Sequence, residues 1–159
     1  MILLKFATAI NGDSIVDGHD KWITISSMQM GVGRAISVSG GGADRETSNP
    51  SFSEITLTKS TDVASADLFM QAVCGKSLGK AELHFVQTGG ADKKHQTYMI
   101  IELTDAIVSS YSASSGGDRP SESFSLNFTQ ISYRYDAFSG DKVNTGTAKQ
   151  WDLTRNAVV

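Results

Sequence analysis

The stretch that decides the fold is SESFSLNFTQISYRY, residues 121–135. At even positions from 124 to 128 large apolar residues alternate with short polar ones, which is the period of a half-buried β-strand. The alternation resumes at odd positions from Ile131 onward. We therefore expect a β-bulge near residues 129–130 that returns both apolar sets to one side. This stretch predicts a protein built mainly from antiparallel β-structure.

Segments on either side extend the pattern. Residues 22–33 have no cleanly apolar parity, which predicts a parity-switching bulge or two partly covered faces. Two polar, glycine-containing stretches, 13–20 and 37–49, predict loops. The further predicted strands are residues 2–7, 52–59, 81–88, 96–103, 104–115 and 148–153. These eight or nine strands show no regular alternation with helices, so we expect an antiparallel β-barrel or sandwich.

One helix is predicted. Thr61 or Asp62 can cap its first turn, and Gly75 can end it in the left-handed conformation. Cys74 in the last turn is interpreted as a small core residue. The apolar face predicted to pack inward consists of Val63, Ala66, Leu68, Phe69, Ala72 and Val73.

Composition limits the function classes. The chain has 159 residues, which fits a single domain spanning 1–159 and leaves no room for a second catalytic domain. A net charge of −3 gives no basic footprint for nucleic acid. The single cysteine excludes an intramolecular disulfide framework, and no apolar run is long enough for a membrane helix. We expect a chain made in the cytoplasm without a cleaved signal peptide.

The sequence contains no recognisable motif of a catalytic site. His19, within DGHD, is interpreted as part of a solvated turn because its carboxylates lack metal-loop spacing. His84 alternates with apolar neighbours and is expected to face solvent or a subunit contact, while His95 begins a strand. The glycine runs lack the residues of a dinucleotide or phosphate loop. No catalytic residue, cofactor site or metal site is therefore predicted.

Several segments taken together resemble a known family. They are SEITLTKSTDVASADLF (53–69), ELTDAIVSSYS (102–112), DRPSESFSLNFTQI (118–131) followed by SYRY (132–135), and WDL (151–153). Their order is similar to that in the haemolysin-coregulated protein (Hcp) family, the tube proteins of bacterial type VI secretion systems. The resemblance covers residues 1 to about 156.

The resemblance implies a β-barrel of two sheets with one flanking helix, six copies in a ring, and rings stacked into a tube. It implies that a contractile sheath expels the tube beneath a spike protein, that small effectors ride in the lumen, and that the protein leaves the cell. It implies no enzymatic activity, since the chain reaches Val159 without a fused toxin domain. Ser27 and Gln29 are the expected lumen residues, with Met28 and Met30 directed to the core. The loop expected to reach another subunit contains Gly41, Gly42, Arg45 and Glu46, the last two forming an ion pair across the contact.

Two other functions remain open from the residues alone. A β-sandwich module that binds carbohydrate or another ligand would need an exposed aromatic platform, for which Trp22 and Trp151 are the candidates. A hydrolase on a β scaffold would need a nucleophile and a base in contact, and the sequence contains no motif for either.

Overall fold

A computed structural model of the chain describes residues 1–38, 45–92 and 94–159. Within these residues it contains one α-helix and many short strands. In chain order the elements are β1 (Ile2–Phe6), β2 (Ile15–Val16), β3 (His19–Asp20), β4 (Ile23–Ile25), β5 (Ser27–Gln29), β6 (Val32–Gly33), β7 (Ile36–Val38), β8 (Arg45–Thr47), β9 (Ser51–Phe52), β10 (Ile55–Ser60), α1 (Ser65–Cys74), β11 (Ala81–Gly89), β12 (Lys94–Thr104), β13 (Ile107–Ser114), β14 (Ser121–Asn127), β15 (Gln130–Tyr135), β16 (Ala137–Ser139), β17 (Lys142–Asn144), β18 (Lys149–Asp152) and β19 (Ala157–Val158).

Two antiparallel sheets form the body, which confirms the predicted mostly β class with one helix. The larger has the order β19-β18-β15-β12-β11-β1-β4, and the smaller has the order β13-β14-β10-β5. The chain passes from one sheet to the other at Ser26, between β4 and β5. It crosses again at residues 128–129, between β14 and β15. The change of parity predicted there as a bulge is therefore a crossing between sheets.

The main core lies between the two sheets and α1. Leu4, Leu83 and Ile101 come from the larger sheet, Leu57 and Phe124 from the smaller one, and all five are fully buried. A second, smaller cluster formed by Leu3, Trp22 and Val86 packs with Val16 of β2. Its Leu3 has the opposite parity to Leu4, so the larger sheet buries apolar groups on both faces.

Both predicted loops contain short hairpins. Residues 13–20 hold the hairpin β2–β3, and residues 37–49 hold strand residues of the hairpin β7–β8. These hairpins were not predicted, because strands of two or three residues are too short to show alternation and their polar, glycine-containing sequence is typical of loops.

The helix begins later and buries less than predicted. Its first residue is Ser65, and Asp62 accepts a hydrogen bond from the amide of Ala64 at 2.9 Å without capping the helix itself. Gly75 ends it as predicted, in the left-handed conformation with φ of 64°. Leu68 is buried, but Val63, Phe69 and Val73 are more than half exposed, and Cys74 is exposed rather than part of the core. The physical reason is that α1 packs mainly against β13, which leaves much of its apolar surface uncovered.

Gly12 makes a close approach that predicts a measurable destabilisation. A Cβ at this position would lie 2.5 Å from Cα of Ile23 and 2.8 Å from its nitrogen, and closer still to the carbonyl oxygen of Trp22. Because backbone atoms cannot yield as a flexible side chain can, Gly12→Ala is expected to lower the free energy of unfolding by about 1–3 kcal/mol. Gly33→Ala is the control, since a Cβ there meets open space. Equal effects of the two variants in denaturant unfolding would contradict this prediction.

Candidate functional site

The outward face of the smaller sheet carries short, uncharged polar side chains. On β10 the side chains of Ile55, Leu57 and Lys59 are buried, so Thr56 and Thr58 point outward. Residues directly opposite each other in an antiparallel pair lie on the same face of the sheet. The register therefore defines a surface that we name the hydroxyl face: Ser27, Gln29, Thr56, Thr58, Ser110, Ser112, Ser123 and Ser125.

Hydroxyl groups on this face bind one another across the strands. The hydroxyls of Ser27 and Thr58 share a hydrogen bond, and Thr56 Oγ1 lies 3.1 Å from Ser125 Oγ. A surface of this kind offers donors and acceptors without charge. It therefore sets up no strong field of one sign toward a molecule that passes over it.

The charges of the same strands point into the protein. Lys59 has no exposed side-chain surface, and its Nζ lies 2.8 Å from Glu122 Oε2 and 2.7 Å from Asp62 Oδ1. The ammonium also donates to Ser65 Oγ at 3.3 Å and to the carbonyl of Ser60 at 2.9 Å. This group, the Lys59 cluster, has its buried donors and acceptors paired, as burial of charge requires.

Tyr111 completes the Lys59 cluster by donating to Glu122 Oε1 at 2.8 Å. Burial acts to raise the pKa of Glu122, but hydrogen bonds with Lys59, Ser65 and Tyr111 outweigh it, so the pKa lies below its ordinary value. Burial and the neighbouring carboxylate raise the pKa of Tyr111 to about 12. The phenol therefore stays protonated and the carboxylate stays charged at neutral pH.

Ser27 and Gln29, the predicted lumen residues, are exposed on β5 at one edge of the hydroxyl face. Met28 between them packs against the core, as predicted. Met30 does not, because β5 ends at Gln29 and the next side chain is 39% exposed.

The segment predicted to reach another subunit forms an extended hairpin. We name the described residues 32–38 and 45–52 the arm, in which β6 pairs with β9 and β7 pairs with β8. Arg45 is exposed on the arm. Gly41 and Gly42 lie outside the described residues, as does the side chain of Glu46, so the Arg45–Glu46 ion pair stays a prediction. Two apolar side chains on the arm, Val32 and Ile36, are 62% and 55% exposed.

An apolar groove opens at the base of the arm. It has a volume of about 480 Å³ and continues along Met30 and Phe52 into a neighbouring hollow of about 250 Å³. Trp151 lines it, and the indole Nε1 of that residue is buried without a hydrogen-bond acceptor. Since Trp22 is buried and Trp151 is half-buried, neither provides the exposed platform that a carbohydrate-binding module would need.

One histidine lies elsewhere than predicted. His19 is buried rather than solvated, and its Nε2 lies 2.9 Å from Nδ1 of His84. His84 is half-buried against His19 and Trp22, so of its two predicted surroundings the subunit contact stays a prediction. His95 is exposed on β12. Within residues 1–38, 45–92 and 94–159 no three His, Cys, Asp or Glu side chains gather as a metal site, and no helix is long and apolar enough to span a bilayer.

Comparison with known proteins places this geometry in a family. The family model described as "Type VI secretion system effector, Hcp" matches residues 3–135. The protein Hcp1 of Pseudomonas aeruginosa is 31% identical over 107 residues, a match that spans 65% of this chain and 65% of the length of that relative.

Solved structures agree. A structure described as that of a type six secretion system protein has a TM-score of 0.89 and 28% identity, with 99% of this chain and 98% of the other covered. Hcp1 from Salmonella typhimurium shares the fold with a TM-score of 0.78 and 24% identity, with 99% and 97% covered. The chain therefore belongs to the Hcp family of type VI secretion tube and effector proteins.

Proposed function

We propose that this chain is the repeating subunit of a type VI inner tube. Six copies form a ring, rings stack, and contraction of a sheath expels the stack beneath a spike protein. The chain assembles in the cytoplasm and leaves the cell with the tube, without a cleaved signal peptide, and it works as a structural protein rather than an enzyme. Family membership supports this role, and the hydroxyl face is the structural observation that carries it.

The hydroxyl face suits the wall of a channel. Its eight side chains are uncharged, seven of them short hydroxyl groups, and the ions of the same strands are directed inward to the Lys59 cluster. A lumen lined in this way holds small effectors through hydrogen bonds and selects weakly by charge. Ser27 and Gln29 face that lumen in our proposal.

The smaller sheet also supplies two different edges for ring closure. Strand β5 lies at one edge and β13 at the other, and within the described residues neither edge is paired with another strand. A head-to-tail contact between unlike edges closes into a ring when the rotation between copies divides a full turn. The arm of one copy and the apolar groove of the next provide a second pair of unlike surfaces, and we propose that they pack together in the ring.

Negative-stain electron microscopy of the purified chain tests the ring, with light scattering to give the mass in solution. We expect ring-shaped particles with a central hole and a mass of six copies. A monodisperse monomer at high concentration, with no rings on the grid, would contradict the proposal.

A gold label tests the lumen separately. Gln29→Cys in a Cys74→Ser background places a single thiol on the hydroxyl face, since Cys74 is the one native cysteine. We expect a maleimide–gold cluster to appear inside the hole of each ring. Labels around the outer rim would overturn the lumen assignment while leaving the ring intact.

A further inference from the structure

The hairpin β2–β3 lies as a flap over the second apolar cluster. The flap, residues 13–21, is closed on itself by backbone hydrogen bonds, from Lys21 to Ser14 at 2.7 Å and from Gly12 to Lys21 at 2.8 Å. Val16 packs on the cluster of Leu3, Trp22 and Val86 beneath it. Few apolar contacts hold this hairpin, so its opening is separable from unfolding of the main core.

One side-chain hydrogen bond joins the flap to the larger sheet within the residues that the structure describes. It runs between His19 Nε2 on β3 and His84 Nδ1 on β11, at 2.9 Å. Both imidazoles also contact the Trp22 ring edge-on or tilted, with centroid separations of 4.7 Å and 4.6 Å. The His19–His84 bond therefore fastens the flap directly above the cluster.

Whether this hydrogen bond forms depends on how many protons the two imidazoles carry. His19 Nδ1 lies 3.4 Å from the carbonyl oxygen of Asp17, which can only accept. With the His19 proton on Nδ1, a neutral His19 accepts at Nε2 and His84 donates from Nδ1. If both rings are cationic, both facing nitrogens carry hydrogen, the bond is lost, and two charges face each other in a half-buried site.

We propose that the flap is an acid-sensitive latch, closed while the His19–His84 pair is neutral and released when the pair takes up protons. The device stands on the geometry of the pair and does not depend on ring assembly. Release exposes the apolar cluster of Leu3, Trp22 and Val86 at the outer side of the larger sheet.

The surroundings of the pair set the direction of the pH response. The groups whose charge acts on His84 are His19, Glu82 of β11, Glu102 of β12 and Arg134 of β15. Lys5 of β1 lies over the Trp22 ring that both imidazoles contact, with its Nζ 5.7 Å from the ring centroid. On the flap itself, Asp17 presents its backbone carbonyl to His19, and Asp20 and Lys21 are exposed. Burial, followed by the charge of His19, lowers the pKa of His84 to about 4 from 6.5, although Glu82 and Glu102 act to raise it. A lowered pKa means that the open flap binds protons more readily, so the free energy that favours closure has its full value above pH 6.5 and decreases as the pH falls from there toward 4.

Hydrogen exchange measured by mass spectrometry at pH 7 and pH 5 tests the latch. After correction for the intrinsic exchange rate, we expect protection of the flap amides to fall roughly tenfold to twentyfold on acidification. Peptides from β10 and β14 are expected to keep their protection. Ordinary aspartates, glutamates and lysines have pKa values outside this interval, so histidines undergo the largest change of protonation within it.

Matched variants test whether the His19–His84 pair causes the loss of protection. His84→Asn keeps an N–H group near the position of Nδ1 but cannot be protonated, so its flap protection is expected to change less than twofold between the two pH values. His95→Asn removes the exposed histidine and is expected to retain the full response. If His84→Asn opens the flap at both pH values, His19→Gln, which keeps an amide near Nε2, replaces it. Unchanged protection in the wild type, or a fall in His84→Asn or His19→Gln equal to that of the wild type, would overturn the proposal.

Discussion

Lys59→Met is expected to lower the free energy of unfolding by about 3–5 kcal/mol, because it leaves the carboxylates of Glu122 and Asp62 without their cation in a buried site. Methionine has nearly the volume of lysine, so the loss reports charge rather than a cavity. Equilibrium denaturation by urea, followed by far-UV circular dichroism, measures the difference.

The pH dependence of Lys59→Met gives a second, independent signature. In the wild type the pKa of Glu122 lies below its ordinary value, so its contribution to the free energy of unfolding is fully present above the ordinary value and is lost as the pH falls from there through the lower pKa of the folded protein. Without Lys59, burial dominates and raises the pKa of Glu122 above the ordinary value. Acidification then stabilises the variant, so the gap between wild type and variant is expected to narrow as the pH falls from 7 to 5.

Two controls separate this effect from an ordinary ion pair. Lys80 also binds two carboxylates, Glu82 and Glu102, each at 2.8 Å, but 47% of its side chain is exposed. Lys80→Met is therefore expected to cost less than about 1 kcal/mol. Adding Glu122→Gln to Lys59→Met removes one orphaned charge and is expected to recover at least about 1 kcal/mol. A loss at Lys59 no larger than that at Lys80 would show that the buried cluster contributes little.

The sequence contains a signal for the Lys59 cluster, which lies in two charges at apolar positions. Lys59 follows Ile55 and Leu57 at the buried parity of β10, and Glu122 precedes Phe124 and Leu126 at the buried parity of β14. Opposite charges at apolar positions of two strands predict a buried pair wherever those strands are neighbours. Which strands are neighbours is a property of topology, and alternation does not supply it.

The strands were predictable where they are long. Residues 2–7, 81–88 and 96–103 fall on observed strands of five or more residues, because apolar-rich segments of this length next to turn-forming residues are a clear strand signal. The hairpins of the flap and the arm were predicted as loops, since their strands contain two or three residues. The exposure of the apolar helix face could not be predicted either. Periodicity shows that one face of a helix is apolar, but it does not show how much of that face another element covers.

The same limit explains the histidines. His19 lies in DGHD, whose composition is that of a solvated turn, and it is separated from His84 by 65 residues. Only the pairing of β1 with both β4 and β11 brings the segment after the flap beside His84. Ser27 and Gln29, predicted to face a lumen from their polarity and from the resemblance, are both exposed on the hydroxyl face, and their place in a lumen stays a prediction.

Ile36→Asp is expected to convert rings into monomers. Ile36 is 55% exposed on the arm, where β7 and β8 pair only with each other within the described residues. If the arm of one copy packs on the next, as we propose, this side chain loses water in the ring. A carboxylate buried there without a cation costs several kcal/mol at each of the six contacts, which a closed ring cannot tolerate.

Ile36 lies outside the core, so the monomer of Ile36→Asp is expected to keep the circular dichroism spectrum and thermal midpoint of an isolated wild-type subunit. Ile15→Asp is the matched control. It is the same substitution at a site away from the arm, because Ile15 lies on the flap and is 92% exposed. Size-exclusion chromatography with light scattering is expected to give the hexamer mass for Ile15→Asp and the monomer mass for Ile36→Asp. Intact rings in Ile36→Asp would exclude the arm from the contact, and loss of rings in both variants would remove its special role.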